Sequence, residues 1–530
     1  MKKKIKLGFA AAIILIFALQ MTAFAAELGV SINACVIVGN QVHVAAAGAA
    51  QASDSGQYYL FALEPYETGV GSRTDYCAAA PVADSVTFAT DLNLNTAASR
   101  LYSRFVVTVL RGGVYVPVSN EMYITNPEAV ATVSTGYPAR SKKGLIADWR
   151  YVDDLTDLNA GYATYVLDVN KFFEAGGVGF TYNGKNYSFS TAAVAACDAV
   201  CSLFSGQGCN VVMVIVNYYN PATLDMIPPL GRSAGMTSYA FNVQEQVPTE
   251  KLEALMSFLA ERYSNKGYGT IHSWIIGNEV NNNYPAHYQG SISADEFAAD
   301  YAKQFRVCYN AIMSHNKDAR VYTNIDQRWN WVDAASPLQY PSRTFLDKFA
   351  ATITTTGNID WGLTIHPHPV PMDNCRFWSL PAPYSSMNLV QHNDNTKFAT
   401  VQNMEVFTNH MKQPQMLSPN GTVRHMMITE LGFNASALSP YGSNEQYQAA
   451  ALVYAYKKAE SLPEIEAFII HKQNDDPGEA ASAVSYGLRV GDTKRYAYEV
   501  FKYMDTGNTA YTDFALPIIG ASSWAQLGLQ

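Results

Sequence analysis

This sequence is poor in charge, and the charge it has runs acidic. Only 15% of its 530 residues are Asp, Glu, Lys or Arg, and acids outnumber bases to a formal net charge of −9. Nucleic acid and anionic membrane surfaces are therefore excluded as natural partners, while a neutral ligand is compatible. Cysteine is sparse too. The seven cysteines (Cys35, Cys77, Cys197, Cys201, Cys209, Cys308 and Cys375) form no paired CxxC motifs, which excludes a zinc ribbon and a disulfide framework. One bridge within the Cys197, Cys201 and Cys209 group and a set of buried free thiols remain equally open. No glycine-rich phosphate loop follows the first strand of the repeating part of the chain, which argues against an open nucleotide-binding sheet. Beyond the first 25 residues there is no stretch of about 18 uncharged apolar residues, so no permanent membrane span is expected.

What is present begins with an address. Lys2, Lys3, Lys4 and Lys6 precede an apolar run from Leu7 to Leu19, and Ala23-Phe24-Ala25 supplies small residues for cleavage, so residues 1–25 read as a secretory signal peptide. Its removal takes away four Lys and no acid, leaving 32 basic against 45 acidic residues and a net charge of −13. The mature chain is expected to be exported, without insertion into a membrane, and to act as a monomer.

Residues 26–135 read as short alternating strands separated by turns such as Gly39-Asn40 and Gly112-Gly113, the pattern of a small β-sandwich. From about Gly136 the texture changes to apolar strands alternating with amphipathic helices. Eight strands are expected: 144–148, 163–170, 210–217, 271–279, 320–326, 359–366, 425–430 and 465–471. Helices over 250–263, 295–315, 444–461 and 494–504 separate some of them, and Ser293 with Glu296 has capping-box spacing. Eight such pairs close a (β/α)₈ barrel over residues 136–506. A β-hairpin is expected at 176–189 and a long Pro-, Tyr- and Asn-rich loop at 367–400, while 507–530 forms a patternless tail.

Two strand ends carry chemistry. Trp274-Ile275-Ile276-Gly277-Asn278-Glu279-Val280 is apolar until an amide and a carboxylate, and Met426-Met427-Ile428-Thr429-Glu430-Leu431-Gly432-Phe433 is apolar until one Glu. By count they end strands four and seven, so both acids should project over one barrel mouth. Two carboxyl groups flanking a glycosidic bond are what its cleavage needs: one protonates the departing oxygen and the other acts at the anomeric carbon. Asn278 can steady a sugar or the acid without adding charge.

An Asn-Glu ending strand four and a Glu ending strand seven resemble the clan of retaining (β/α)₈ glycosidases called clan A. The resemblance covers roughly residues 144–506. It implies Glu279 as acid/base and Glu430 as nucleophile, with a carbohydrate substrate and no cofactor. The segments WIIGNEVNN and ITELGF are also similar to exported bacterial barrel proteins without an assigned activity. Many clan members have Pro after the Asn-Glu pair, where Val280 stands here, and an aromatic residue at the end of strand eight, where the sequence runs Ile470-His471-Lys472.

Other strand ends supply sugar-compatible groups: Asp148, Trp149 and Arg150 after strand one, with a structural Asp148–Arg150 pair as the alternative, Asn170 after strand two, Asn217 and Tyr218 after strand three, Asn324, Gln327 and Trp329 around strand five, His366 after strand six and His471 after strand eight. His366 is placed to reach Glu430 or a sugar hydroxyl. His366 and His368 could share a metal, but no further ligand with matching placement is evident, so no metal is expected. The Asp153-Asp154 and Asn393-Asp394-Asn395 runs read as solvated turns rather than calcium loops. The rival functions are a barrel that binds glycan without cleaving it and a metal-dependent hydrolase.

Overall fold

The computed structural model describes residues 29–174 and 176–529. The expected signal peptide lies outside the described residues. The first part of the chain builds two antiparallel sheets. One orders β1 (Val30–Val38), β2 (Gln41–Gly48) and β5 (Ser85–Asp91); the other orders β4 (Ala78–Pro81), β3 (Gln57–Leu63), β6 (Arg104–Arg111) and β7 (Val114–Pro117), with β8 (Met122–Tyr123) pairing β6. Alternation drives this arrangement. In β5, Val86 and Phe88 point inward while Ser85, Thr87 and Ala89 stay exposed, and the inward residues of both sheets join one core.

Eight parallel strands then close a barrel in chain order: β9 (Lys143–Ile146), β10 (Tyr162–Asp168), β13 (Asn210–Val216), β14 (Ile271–Ile276), β15 (Arg320–Asp326), β16 (Gly362–His366), β17 (Met426–Ile428) and β18 (Ile465–Ile470), which pairs back to β9. The expected hairpin is β11 (Val178–Tyr182) with β12 (Lys185–Phe189). The fold is thus a TIM barrel with a β-rich N-terminal domain. The helix Ala294–His315 opens on the expected capping box of Ser293 and Glu296. The segment after Thr506 folds back onto the helix Glu445–Glu460, burying Ala515 and Trp524.

Inside the barrel, side chains stack in layers set by the strand period of two. Tyr322 faces Gly362, Asn324 faces Thr364, and Asp326 faces His366 across the β15–β16 register. Gly362 is required by its neighbour, because a Cβ there would lie 2.3 Å from the Tyr322 ring. Val212, Val214, Ile275, Met427 and Ala467 join Tyr322 in the interior cluster that fills the lower barrel. The layers above turn polar, and the site begins there.

The N-terminal domain packs on the outer helices. Asn310 donates to the Leu101 carbonyl at 2.8 Å, Tyr123 donates its backbone N–H to Thr356 at 2.9 Å, and the buried Tyr102 hydroxyl meets Tyr182 at 2.6 Å and Ser257 at 3.3 Å. All seven cysteines are free, with the Cys197 and Cys201 sulfurs 3.9 Å apart. Among the described residues, no helix is long and apolar enough to cross a membrane.

One sequence expectation is corrected here. Asp154 is no solvated turn residue: it is 6% exposed, accepts from Tyr498 at 2.7 Å and Gln473 at 2.7 Å, and faces Arg489 at 3.2 Å. A carboxylate with two donors and a facing guanidinium is held inside because they replace its water.

Candidate active site

The site is assembled from the ends of β14 to β18. β14 stops at Ile276, and the chain turns sharply through Gly277 (φ 85°) and Glu279 (φ 44°). A left-handed backbone at a glutamate is uncommon, and it marks a residue whose direction its surroundings impose. Those surroundings are Asn324: its side-chain oxygen accepts the Glu279 backbone N–H, and its carbonyl accepts the Val280 N–H at 3.1 Å. The turn thereby aims the Glu279 carboxyl into the mouth, where its side chain is 24% exposed.

Glu430 follows β17 on the facing wall and is 27% exposed. His366, at the end of β16, stands between the two acids. Its Nδ1 lies 3.1 Å from Glu279 Oε1 and 3.8 Å from Glu430 Oε2, so those two oxygens are at most about 7 Å apart. The sequence expectation that His366 reaches Glu430 is met only at the longer distance; its hydrogen bond goes to Glu279. His368 places Nε2 3.4 Å from Glu430 Oε1. Neither carboxyl meets a Lys or Arg among the described residues.

These histidines set the charge state of Glu430. Burial alone would push its carboxyl up, yet the rings of His366, His368 and His471 around it together hold it well below the ordinary carboxylate range. Burial likewise opposes charge on His366, and Glu430 and then Glu279 outweigh it, raising its pKa. An ionised Glu430 is what a nucleophile or a charge-stabilising group needs.

Beneath Glu279 lies a hub the sequence reading missed. Asp326, fully buried at the end of β15, accepts from Asn281 at 3.0 Å, Asn282 at 3.0 Å, Ser342 at 2.8 Å and Arg328 at 2.5 Å. It fastens the loop that leaves Glu279, and Asn282 also reaches the Glu279 carboxylate at 3.4 Å. An acid ending the buried strand 320–326 was the available signal. Glu479 was missed as well; it accepts from His471 at 3.2 Å and Lys472 at 3.0 Å at the end of β18.

The remaining candidates divide. Asn278 is half-buried, and its amide makes no hydrogen bond among the described residues, leaving it free for a ligand. Trp149 is 65% exposed and Tyr218 39% exposed on loops at the mouth face, and Arg150 pairs with Asp148 at 2.9 Å, the structural alternative to a sugar contact. Asn170 and Asn217, expected to contact sugar, are instead buried braces. Asn170 bonds Asn217, the Tyr218 carbonyl and Thr223, and Asn217 donates to Met226 at 2.9 Å and Ala240 at 2.7 Å. Trp329 is corrected too: fully buried, it packs edge-on against Phe407 and His410. Gln327, 5% exposed, sits beside it as part of that packing, its carbonyl accepting the Ala399 N–H. Asn324 is buried under the acids rather than at the surface.

Glu279, His366 and His368 offer three potential metal-ligand atoms within 4.8 Å of one another. The sequence reading found no third ligand for the two histidines; the turn at Glu279 brings one.

A family model described as a family of unknown function (DUF5722) matches residues 136–527. The chain belongs to that family. The match takes in the whole barrel together with the terminal segment that folds back on it. No curated protein matches. Among solved structures the chain is similar to a family 39 glycoside hydrolase from the gut symbiont Bacteroides cellulosilyticus WH2 (12% identity, TM-score 0.46, covering 91% of this chain and 80% of that one). It is also similar to a Ruminococcus gnavus beta-glucuronidase (10%, 0.35, 89% and 68%) and to a GH2 beta-galacturonidase from Eisenbergiella tayi (10%, 0.37, 90% and 72%). At such identities and TM-scores the likeness carries no argument about activity, which rests on the site itself.

Proposed function

We propose that the chain is a secreted, retaining glycosidase acting on an extracellular polysaccharide or oligosaccharide. The observation that carries the reading is the pair of part-exposed carboxyl groups, Glu279 and Glu430, facing each other across His366 at the C-terminal end of a closed barrel. An upper bound of about 7 Å between their nearer oxygens accommodates the roughly 5–5.5 Å of a double displacement, and barely the water that an inverting reaction needs. In the first step the ionised Glu430 attacks the anomeric carbon while Glu279 gives its proton to the departing oxygen. A carbon–oxygen bond to the enzyme forms as the glycosidic bond breaks. In the second step Glu279 takes a proton from water, whose oxygen displaces Glu430 and releases the sugar. The free amide of Asn278 and the exposed ring of Trp149 are suited to hold sugar hydroxyls and the apolar face of a sugar ring.

The test is a polysaccharide and oligosaccharide panel assayed with wild type, Glu279→Gln and Glu430→Gln. Each variant is expected to lose at least about a hundredfold in rate, with product anomers retained in the wild type. Glycan binding by all three proteins with no cleavage by any would favour a binding barrel instead.

A further inference from the structure

We infer that Asn324 is a positioning residue that fixes the single ring proton of His366 on Nδ1, making this histidine a permanent donor to the two acids and a poor metal ligand. The two ends of the Asn324 amide face different partners. The Glu279 backbone N–H can only donate, so the Asn324 atom facing it is the oxygen. The other end of the amide meets Thr364 Oγ1 at 2.7 Å, and that hydroxyl gives its own hydrogen to the Thr323 carbonyl at 3.2 Å, so it accepts from an NH₂ group. Two independent partners therefore set the same amide orientation. The NH₂ group that results also points at His366 Nε2, 3.1 Å away.

A nitrogen that faces an amide NH₂ at this distance has to accept, which leaves Nε2 bare and puts the proton on Nδ1. Nδ1 is the atom 3.1 Å from Glu279 and 3.8 Å from Glu430. His366 is 2% exposed, so water offers no substitute partner. The two carboxylates draw a second proton toward the ring, and the amide opposes it because Nε2–H would meet another donor head-on.

The tautomer stands without reference to activity; its use rests on the glycosidase reading. In the double displacement the negative charge moves from Glu430, before attack, to Glu279, once its proton has gone to the leaving group. A donor held between the two serves each in turn without changing its own protonation.

The same lock bears on metal binding. Coordination through His366 Nδ1 needs a lone pair there, which moves the ring proton to Nε2, against the Asn324 NH₂ group. The Glu279, His366 and His368 cluster is thus disfavoured as a metal site although its ligand atoms lie within 4.8 Å. Replacing the NH₂ with an acceptor removes the obstacle.

Two measurements on the full chain decide the matter. Nitrogen-15 NMR of histidine-labelled protein near pH 7, with His366 assigned by comparison with His366→Gln, should show a protonated Nδ1 and a bare Nε2. A proton on Nε2 in the wild type, alone or with one on Nδ1, overturns the inference. Zinc titration against a chromophoric chelator should show Asn324→Asp binding at least about tenfold more tightly than wild type, with the gain abolished by adding His368→Ala. Equal zinc affinity in wild type and Asn324→Asp also overturns it. The NMR result needs no altered Asn324, so it stands even where that variant folds poorly.

Discussion

Replacing His368 with Leu removes one of the three histidines that keep Glu430 ionised while nearly preserving the buried volume. His368 is 2% exposed and its Nε2 lies 3.4 Å from Glu430 Oε1, on a carboxyl whose burial works against charge. A hydrogen bond to a charged group contributes about 1.5–3 kcal/mol, and this contact, which does not meet hydrogen-bond geometry, contributes less. At about 1.4 kcal/mol per pKa unit, its loss should raise the Glu430 midpoint by up to about one unit. The direct assay is a carboxyl carbon-13 NMR titration, with the Glu430 signal assigned by its disappearance in Glu430→Gln. The wild-type midpoint should fall below the ordinary value of about 4.3 and that of His368→Leu should move upward. A depressed folded-state pKa contributes stability that is present above the unfolded value and lost as pH falls through the folded one, so the variant should also lose less stability on acidification. An unmoved midpoint, or a wild-type midpoint above the ordinary range, would refute the account of how Glu430 is kept charged.

The opposite sign is expected at Glu253, 6% exposed on the helix Gln246–Arg262, whose pKa burial and then Glu64 and Glu250 push well up. Its charge costs stability above about pH 4.3 and increasingly so until the folded pKa is passed, so Glu253→Gln should raise Tm at pH 8 with a gain that fades toward pH 4. Glu64, pushed up to about 7 mainly by burial and then by Glu67, should behave alike, so the Glu64→Gln gain should be larger at pH 8 than at pH 6 by calorimetry. Asp326→Ala strands Asn281, Asn282, Ser342 and the Arg328 guanidinium, and should destabilise by roughly 3–5 kcal/mol in denaturant unfolding. Trp149→Ala, at a 65% exposed ring, should leave unfolding within about 0.5 kcal/mol of wild type while raising KM for a cleaved glycan; an unchanged KM would remove Trp149 from the sugar site.

Much of the barrel was legible because its strands are buried on both faces and so appear as unbroken apolar runs. Asn210–Val216 is wholly buried, and 320–326 matches its expected span. The ends were harder, since strand 271–279 stops at Ile276 where Gly277 turns the chain. The acids at 279 and 430 were readable for the same reason as the strands: a lone charge after an apolar run has to face something other than the core. Period and position do not say how deep a side chain lies. Asn170, Asn217 and Trp329 all end or follow strands, yet each is spent on packing or on bracing a loop. The pairing of Asn324 with the Glu279 backbone joins residues 45 positions apart, and only the closed barrel brings them together.

Arg306 gives the junction between the two domains a meaning for how the protein has to be handled. Its guanidinium is buried, donates to the Gly357 carbonyl and lies 5.2 Å from the Tyr123 ring of the N-terminal domain. A barrel severed near residue 136 would lose that cation's aromatic cover and bare the apolar strip around it. The smallest unit that can be expected to express and stay in solution therefore begins before β1, and activity screens run on an isolated barrel would report on a wounded protein.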